Sequence, residues 1–263
     1  MPPNIPPKLP FAVLSVLGLG FLLGQGQPAA QTDTLKLGGL GEMRGYFPGF
    51  KSGIYQELGR RLGIRFVLID APSKRLYRDM ALERLDGLAY RSRHIEAFPG
   101  LDKLLRVPIA LGSTDEGAYT LDSTAPCLHS WGDLKHVAGK FTTVAGYMSS
   151  QKYLDSLDLR DRAVLVDSVG QAMRLLVAGQ VRYVVDVTLF VEIWLNHWRD
   201  DRAVLYAGTM SRDPYYLYLS PRLADVAGKA ETAIAEMQED APLWKELSLD
   251  SPRLTALRCR ENR

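Results

Sequence analysis

The sequence predicts an α/β protein made of two doubly wound domains that are joined by a two-crossing hinge. Two observations lead to this prediction. Short runs rich in β-branched residues alternate with stretches of helical periodicity along the 263 residues, and this alternation is typical of mostly parallel sheets covered by helices. The alternation stops over residues 111–126, where glycine and polar side chains dominate, and then starts again. We therefore expect one α/β unit on each side of this break.

The first unit follows a β-α-β-α-β order. In the helix predicted over residues 53–62, the apolar residues Ile54, Leu58 and Leu62 recur every four positions and form one face. Pro72 precedes a second helix, where its fixed backbone suits a first turn. The helices are predicted over 53–62 and 73–83, and the strands over 35–37, 64–69, 85–90 and 104–110.

The second unit repeats the alternation after Trp131. Its strands are predicted over 118–121, 141–144, 163–166, 181–186 and 202–206, and its helices over 149–157, 169–178 and 189–198. A strand over 215–219 and a helix over 221–239 follow, and the simplest arrangement returns them to the first unit. The predicted domains are therefore 31–118 plus 212–263, and an inserted 119–211. Two crossings allow the domains to open and close around a cleft at the strand ends.

The N-terminal residues have the pattern of a secretory signal peptide. Lys8 is the one charged side chain in residues 1–30, residues 11–23 are mostly apolar, and small residues follow. The apolar run is shorter than the ~20 residues that span a bilayer, and the pattern favours cleavage near Ala30. An uncleaved N-terminal anchor is the alternative. Either way, the sequence predicts a periplasmic or extracellular location.

Charge and residue usage exclude several classes of function. The formal net charge is +2, which argues against a nucleic-acid partner because a polyanion requires a basic surface. The four histidines are spread without metal-ligand spacing, and we predict no metal or other cofactor. No nucleophile elbow or phosphate loop occurs, so we expect a binding protein rather than an enzyme, and a monomer. Whether Cys127 and Cys259 pair is left open by the sequence.

The order of several short segments resembles the polar amino-acid (type II, family 3) class of periplasmic solute-binding proteins. The resemblance extends over residues 35–247. It rests on YFPGF at 46–50, YQELGRRLG at 55–63, LDGLAYR at 85–91, FPGLDKLLRVPI at 98–109, WGDLK at 131–135, VAGQVRYVVD at 177–186 and YLYLSPR at 216–222. It implies a type II periplasmic binding protein fold that holds a small polar or carboxylate-bearing ligand between its domains for an ABC-type importer.

The resemblance also implies two ligand-binding residues. Arg91 matches the arginine that grips a ligand carboxylate, with Arg93 as the second choice, and Asp186 matches the aspartate that holds an ammonium group. A guanidinium can form two parallel bonds with a carboxylate. Asp186 could instead cap the helix that follows it. The hydroxyl residues that precede the arginine in this class are replaced here by Leu88, Ala89 and Tyr90.

Other residues complete the predicted site. The helix start at Tyr147, Met148 and Ser149 could meet a ligand carboxylate, because helix N-termini attract anions, or could simply be capped. Arg75 could contact the ligand or form a salt bridge, and Tyr46 could stack on the ligand or pack ordinarily.

Two alternative functions remain open at the level of sequence. One is a ligand-sensing or partner-binding protein of the same fold. The other is an enzyme on this scaffold, such as a cyclohexadienyl-dehydratase-like protein, with Glu42 or Asp186 as its general acid.

Overall fold

The computed structural model describes residues 33–39, 53–196, 202–247, 256–257 and 259. The predicted signal peptide, Glu42 and Tyr46 lie outside these residues. No helix in the described part of the chain is long and apolar enough to cross a membrane.

The described elements form one mixed sheet with helices packed against it. The strands are β1 (Asp33–Gly38), β2 (Ile64–Ile69), β3 (Gly87–Ser92), β4 (Leu105–Arg106), β5 (Gly112–Thr120), β6 (Phe141–Val144), β7 (Ala163–Val166), β8 (Tyr183–Val187), β9 (Leu205–Leu219) and β10 (Ala256–Leu257). The helices are α1 (Gly53–Leu62), α2 (Ser73–Ala81), α3 (Met148–Ser156), α4 (Val169–Val177), α5 (Thr188–Leu195), α6 (Ala224–Glu239) and α7 (Ala241–Leu247).

The strand order is β2-β1-β3-β9-β5-β8-β6-β7, with β4 and β10 paired to β9. Two parallel groups stand at the ends of this sheet, because helices connect successive strands there: β1 pairs with β2 and β3, and β6 pairs with β7 and β8. The long antiparallel strands β5 and β9 lie between these groups. The α/β class predicted from the sequence is confirmed.

Strands β5 and β9 each take part in both halves of the sheet. The end of β9 pairs with β3, whereas the end of β5 pairs with β8. The core changes along the same strands: Leu111 and Tyr215 pack in the cluster around β1, while Ala118 and Met210 pack in a cluster around β6 and β8. These changes support the predicted domain division near residues 118 and 212, which stays a prediction.

The described residues near the C-terminus, 256, 257 and 259, contact the start of β9 or Cys127. Strand β10 pairs with β9 at Leu205 and Tyr206. Cys259 forms a disulfide with Cys127, and their Cα atoms are 5.9 Å apart. Both contacts place residues 256, 257 and 259 beside elements of the predicted inserted domain. They favour assigning this end of the chain to that domain, whereas the sequence predicted it as part of 212–263 in the first.

The sequence misplaced the two central strands. Within residues 111–126 a strand was expected only over 118–121, yet β5 begins at Gly112. The strands predicted over 202–206 and 215–219 are parts of one strand, β9, which continues through Pro214. Proline lacks an N–H and disfavours a central strand. It is accommodated here because the pairing of β3 with β9 ends at Tyr215, so Pro214 has a partner strand only on the β5 side.

Candidate ligand-binding site

A cavity of about 820 Å³, counting its open mouth, lies where β3, β5, β9 and the start of α3 meet. Four residues predicted from the sequence line it together: Arg91, Tyr147, Met148 and Ser149. Much of the remaining wall is aromatic and consists of Tyr77, Tyr90, Phe190 and Tyr215.

Arg91 is held in the cavity wall with only 3% of its surface exposed. Its Nη1 donates to the carbonyl oxygens of Ala89 and Tyr90, at 2.9 and 3.3 Å, and its Nη2 donates to the Gly39 carbonyl oxygen at 2.6 Å. The guanidinium also lies 5.7 Å from the centroid of the Tyr77 ring. Among the described residues, its Nε–H has no hydrogen-bond partner. The arginine is therefore fixed in place while one donor remains available.

A β-bulge precedes Arg91 in β3. The pairing with β9 shifts between Leu88 and Arg91, and Tyr90 has a φ of 52°. Positive φ is rare for a tyrosine, and such strain often occurs at functional sites. The Tyr90 N–H donates to the Tyr55 hydroxyl at 3.3 Å, which supports the irregular backbone. Nothing in the sequence indicates this bulge.

Buried phenols surround the arginine. Burial raises the pKa of Tyr77 and Tyr90 above the ordinary value for a tyrosine. The same cause raises the pKa of Tyr55 well above that value. These side chains therefore remain protonated at neutral pH, and the wall beside Arg91 carries no additional negative charge from them.

Asp213 is a cavity residue that was not predicted from the sequence. It lies in β9, and its Oδ1 accepts a hydrogen bond from His94 Nε2 at 3.1 Å. Its Oδ2 is buried, and within the described part of the chain it has no hydrogen-bond partner. In a sequence, an acidic residue directly before a proline is typical of a turn. This local pattern therefore indicated a turn at Asp213 and not a buried strand.

Glu116 is a second cavity residue that was not predicted, with 2% of its surface exposed. Its Oε1 accepts hydrogen bonds from the hydroxyls of Ser149 and Ser150, at 2.5 and 3.1 Å. Its Oε2 accepts from Trp131 Nε1 at 3.1 Å and from the Ser211 hydroxyl at 2.8 Å. Glu116 lies in the part of β5 where the sequence predicts a break.

Asp186 does not line the cavity, although the adjacent Val187 does. Successive side chains of a strand point to opposite faces. Val187 pairs across the sheet with Glu116, which also lines the cavity, whereas Asp186 pairs with Gly117. The Asp186 carboxylate is buried and accepts hydrogen bonds from the N–H groups of Val144 and Val187.

The remaining predicted residues lie apart from the cavity or outside the described part of the chain. Arg75 has 67% of its side chain exposed and lies 3.6 Å from Asp79 in an ion pair. Arg93 is exposed and is not among the described residues that line the cavity. Tyr46 falls outside the described residues. Over the parts of the chain that are described, no group of three histidine, cysteine or acidic residues could hold a metal ion.

Comparisons with known proteins place this fold. No family model matches the sequence. No curated protein matches it either. The solved structures similar to this chain include a histidine kinase sensor domain with similarity to periplasmic binding proteins, at 14% identity and a TM-score of 0.69 over 82% of this chain and 94% of that one.

Two further solved structures are also similar. An ancestral arginine-binding protein bound to glutamine has 16% identity and a TM-score of 0.64, over 82% of this chain and 96% of that one. A putative L-cystine ABC transporter from Listeria monocytogenes has 16% identity and a TM-score of 0.62, over 82% and 94%. The chain therefore has the fold of the type II periplasmic binding proteins, as the resemblance in sequence predicted.

Proposed function

We propose that this protein is an extracytoplasmic solute-binding protein that captures a small amino-acid-like ligand for an ABC-type importer. One observation carries the proposal. The Nε–H of Arg91 and the Oδ2 of Asp213 belong to residues lining the same cavity, and neither atom has a hydrogen-bond partner within the described structure. Buried polar groups nearly always have partners. A ligand with one carboxylate and one ammonium group would satisfy both atoms.

The roles follow from the chemistry of the two side chains. Arg91 binds the ligand carboxylate through a charge-assisted hydrogen bond. Asp213 accepts from the ammonium group, a role that the resemblance in sequence gave to Asp186. The aromatic rings of Tyr77, Tyr90 and Phe190 limit access of water, which strengthens both interactions. Tyr147, Met148 and Ser149 form a further part of the wall.

The fold suggests how the ligand is enclosed. Arg91 belongs to β3, whereas Tyr147 and Ser149 precede or begin α3, on the other side of the crossing strands β5 and β9. The proposed domains, 31–118 with 212–263 and 119–211, would close on the ligand by bending these strands. The signal peptide proposed for residues 1–30 would deliver the protein, as a monomer, to the periplasm or the extracellular space.

A second candidate function is ligand sensing. It is favoured by the likeness in fold to the histidine kinase sensor domain. The cavity chemistry is the same in both cases, so the discriminating observation is genetic. An importer gene beside this one favours transport, whereas an adjacent sensor-kinase gene favours signalling.

The proposal is tested by measuring the binding of L-amino acids and small organic acids, with thermal shift as a screen and titration calorimetry for affinity. We expect at least one amino acid to raise the melting temperature, since a ligand of the native state stabilises it. Arg91→Ala should weaken that binding by about 2–5 kcal/mol. Arg84→Ala, on an exposed arginine paired with Asp79, is the matched control. Absence of any shift, or a shift that Arg91→Ala leaves unchanged, would refute the proposal.

A further inference from the structure

We infer that the cavity selects ligands with a net positive charge, namely amino acids with a second cationic group on the side chain, and that Glu116 determines this selectivity. The inference rests on the proposed function and names its ligand class. Three of the described lining residues have acidic or basic side chains: Arg91, Asp213 and Glu116. The wall therefore has one positive and two negative charges, and a ligand with a single carboxylate and a single ammonium leaves one negative charge uncompensated.

The charges are ordered across the sheet. Arg91 lies on β3, Asp213 on the adjacent β9 and Glu116 on β5, the next strand. Neighbouring strands are about 4.8 Å apart, and Arg91 and Glu116 are two strand spacings apart across the sheet. They are also five positions apart along β9, because Arg91 pairs with Tyr216 and Glu116 with Ser211, and Asp213 lies between these two positions. A carboxylate, an α-ammonium and a side-chain cation follow one another in this same order along a basic amino acid.

Glu116 also occupies the place that the sequence assigned to a ligand anion. The start of α3 was expected to attract a ligand carboxylate. Instead, the Glu116 carboxylate accepts from Ser149 and Ser150 in the first turn of that helix. A second carboxylate brought by the ligand would be repelled there. This side of the cavity is therefore unfavourable for acidic ligands.

The hydroxyl that contacts Glu116 from the cavity wall reinforces the preference. Ser149 lines the cavity and donates its single hydroxyl proton to Glu116 at 2.5 Å. A hydroxyl that has used its proton offers only lone pairs to other groups. The ligand consequently meets an acceptor at Ser149 and a negative charge behind it, and both favour a cationic donor.

The test compares ligands that differ in charge and scarcely in shape. L-arginine and L-citrulline form one pair, and L-glutamine and L-glutamate form the other, each measured by calorimetry with the purified protein. We expect L-arginine to bind at least about tenfold more tightly than L-citrulline, and L-glutamate to bind most weakly. Glu116→Gln should bring the arginine-to-citrulline affinity ratio close to one. Glu236→Gln, which removes an exposed carboxylate that does not line the cavity, should keep the wild-type ratio.

Each outcome decides a different point. If citrulline binds as tightly as arginine to the wild-type protein, the inferred charge selectivity is wrong, while Arg91-dependent binding still supports the proposed function. If arginine is preferred but Glu116→Gln preserves the ratio, Glu116 is not the selectivity residue. If no amino acid binds the wild-type protein, the proposed function itself fails. The wild-type ligand pair settles the charge question even if Glu116→Gln does not fold.

Discussion

Asp186 on β8 accepts a hydrogen bond from the main-chain N–H of Val144 on β6, with 3.1 Å between Oδ2 and N. The two strands pair in parallel at Phe141 and Thr142, and the side chain extends this connection beyond the paired residues. Its Oδ1 accepts from the Val187 N–H at 2.7 Å. In this position the carboxylate holds two strands together.

Asp186→Asn should therefore reduce stability. An asparagine side chain has one acceptor oxygen in place of two, so one buried N–H loses its partner. We expect the free energy of unfolding to fall by about 1–3 kcal/mol, measured by urea denaturation. A variant with wild-type stability and greatly weakened ligand binding would instead support the role that the sequence assigned to Asp186.

Asp213→Asn should act on ligand binding. It replaces the acceptor that faces the ligand ammonium with a neutral amide, and we expect ligand affinity to fall at least about tenfold. Asp115→Asn is the control. Asp115 lies on β5, next to the residue that pairs with Asp213 on β9, and its carboxylate forms an ion pair with Arg212. Calorimetry of both variants should show the loss only for Asp213→Asn, and an equal loss in both would contradict the assignment.

The contrast between Asp186 and Val187 shows why the site was only partly predictable. Helix α1 and strand β2 were predicted at their observed bounds, because local apolar periodicity determines them. Which side chains of a strand point into the cavity depends instead on the register of that strand. A shift of one residue in the register moves every side chain to the opposite face of the sheet.

Residues 112–117 of β5 and 207–214 of β9 were missed for a related reason. They are stabilised by pairing with each other and with strands distant in sequence, so their polar composition gave no local signal. Because Glu116 and Asp213 lie on these strands, both acidic residues of the cavity were missed together. Arg91, which lines the same cavity, was singled out by a resemblance in sequence and not by the local pattern of apolar residues.

Gly208 in β9 should tolerate no side chain. Its φ is +132°, and a Cβ atom there would lie 1.9 Å from the Leu128 carbonyl oxygen. Gly208→Ala should lower the free energy of unfolding by more than about 2 kcal/mol. A methyl group added at Gly228 on α6 would meet only open space, so Gly228→Ala should raise stability by roughly 0.5–1 kcal/mol. Thermal denaturation of the two variants should shift in opposite directions, and equal shifts would refute this interpretation of the backbone.

The Cys127–Cys259 disulfide should contribute substantially to stability. It joins residues that are 132 positions apart, and cross-links that close long loops restrict the unfolded chain most. The double variant Cys127→Ser/Cys259→Ser should lose about 2–5 kcal/mol of unfolding free energy. Denaturation of the wild-type protein under reducing conditions should reproduce that loss, and a reductant should have no effect on the variant.

Glu57 should make stability depend on pH. It accepts hydrogen bonds from Arg60 and Arg61 on α1, and these interactions lower its pKa from 4.5 to about 2. A carboxyl group with a lowered pKa stabilises the native state fully above its unfolded pKa, and this contribution disappears as the pH falls through the folded value.

The stability difference between wild type and Glu57→Gln should therefore be largest above about pH 4.5 and shrink toward pH 2. Glu231→Gln, at an exposed site on α6, is the control. Denaturant unfolding across this pH range measures both variants, and a difference that stays constant with pH would contradict the assignment.

The disulfide also has a consequence for biosynthesis. Cys127 is translated long before Cys259, and β6 to β9 together with α6 are encoded between them. The native bond can form only after all of these elements have been synthesised. It therefore cannot restrict the chain while these elements are still being synthesised. For recombinant production, an oxidising compartment is needed at the end of maturation, when Cys259 reaches its partner.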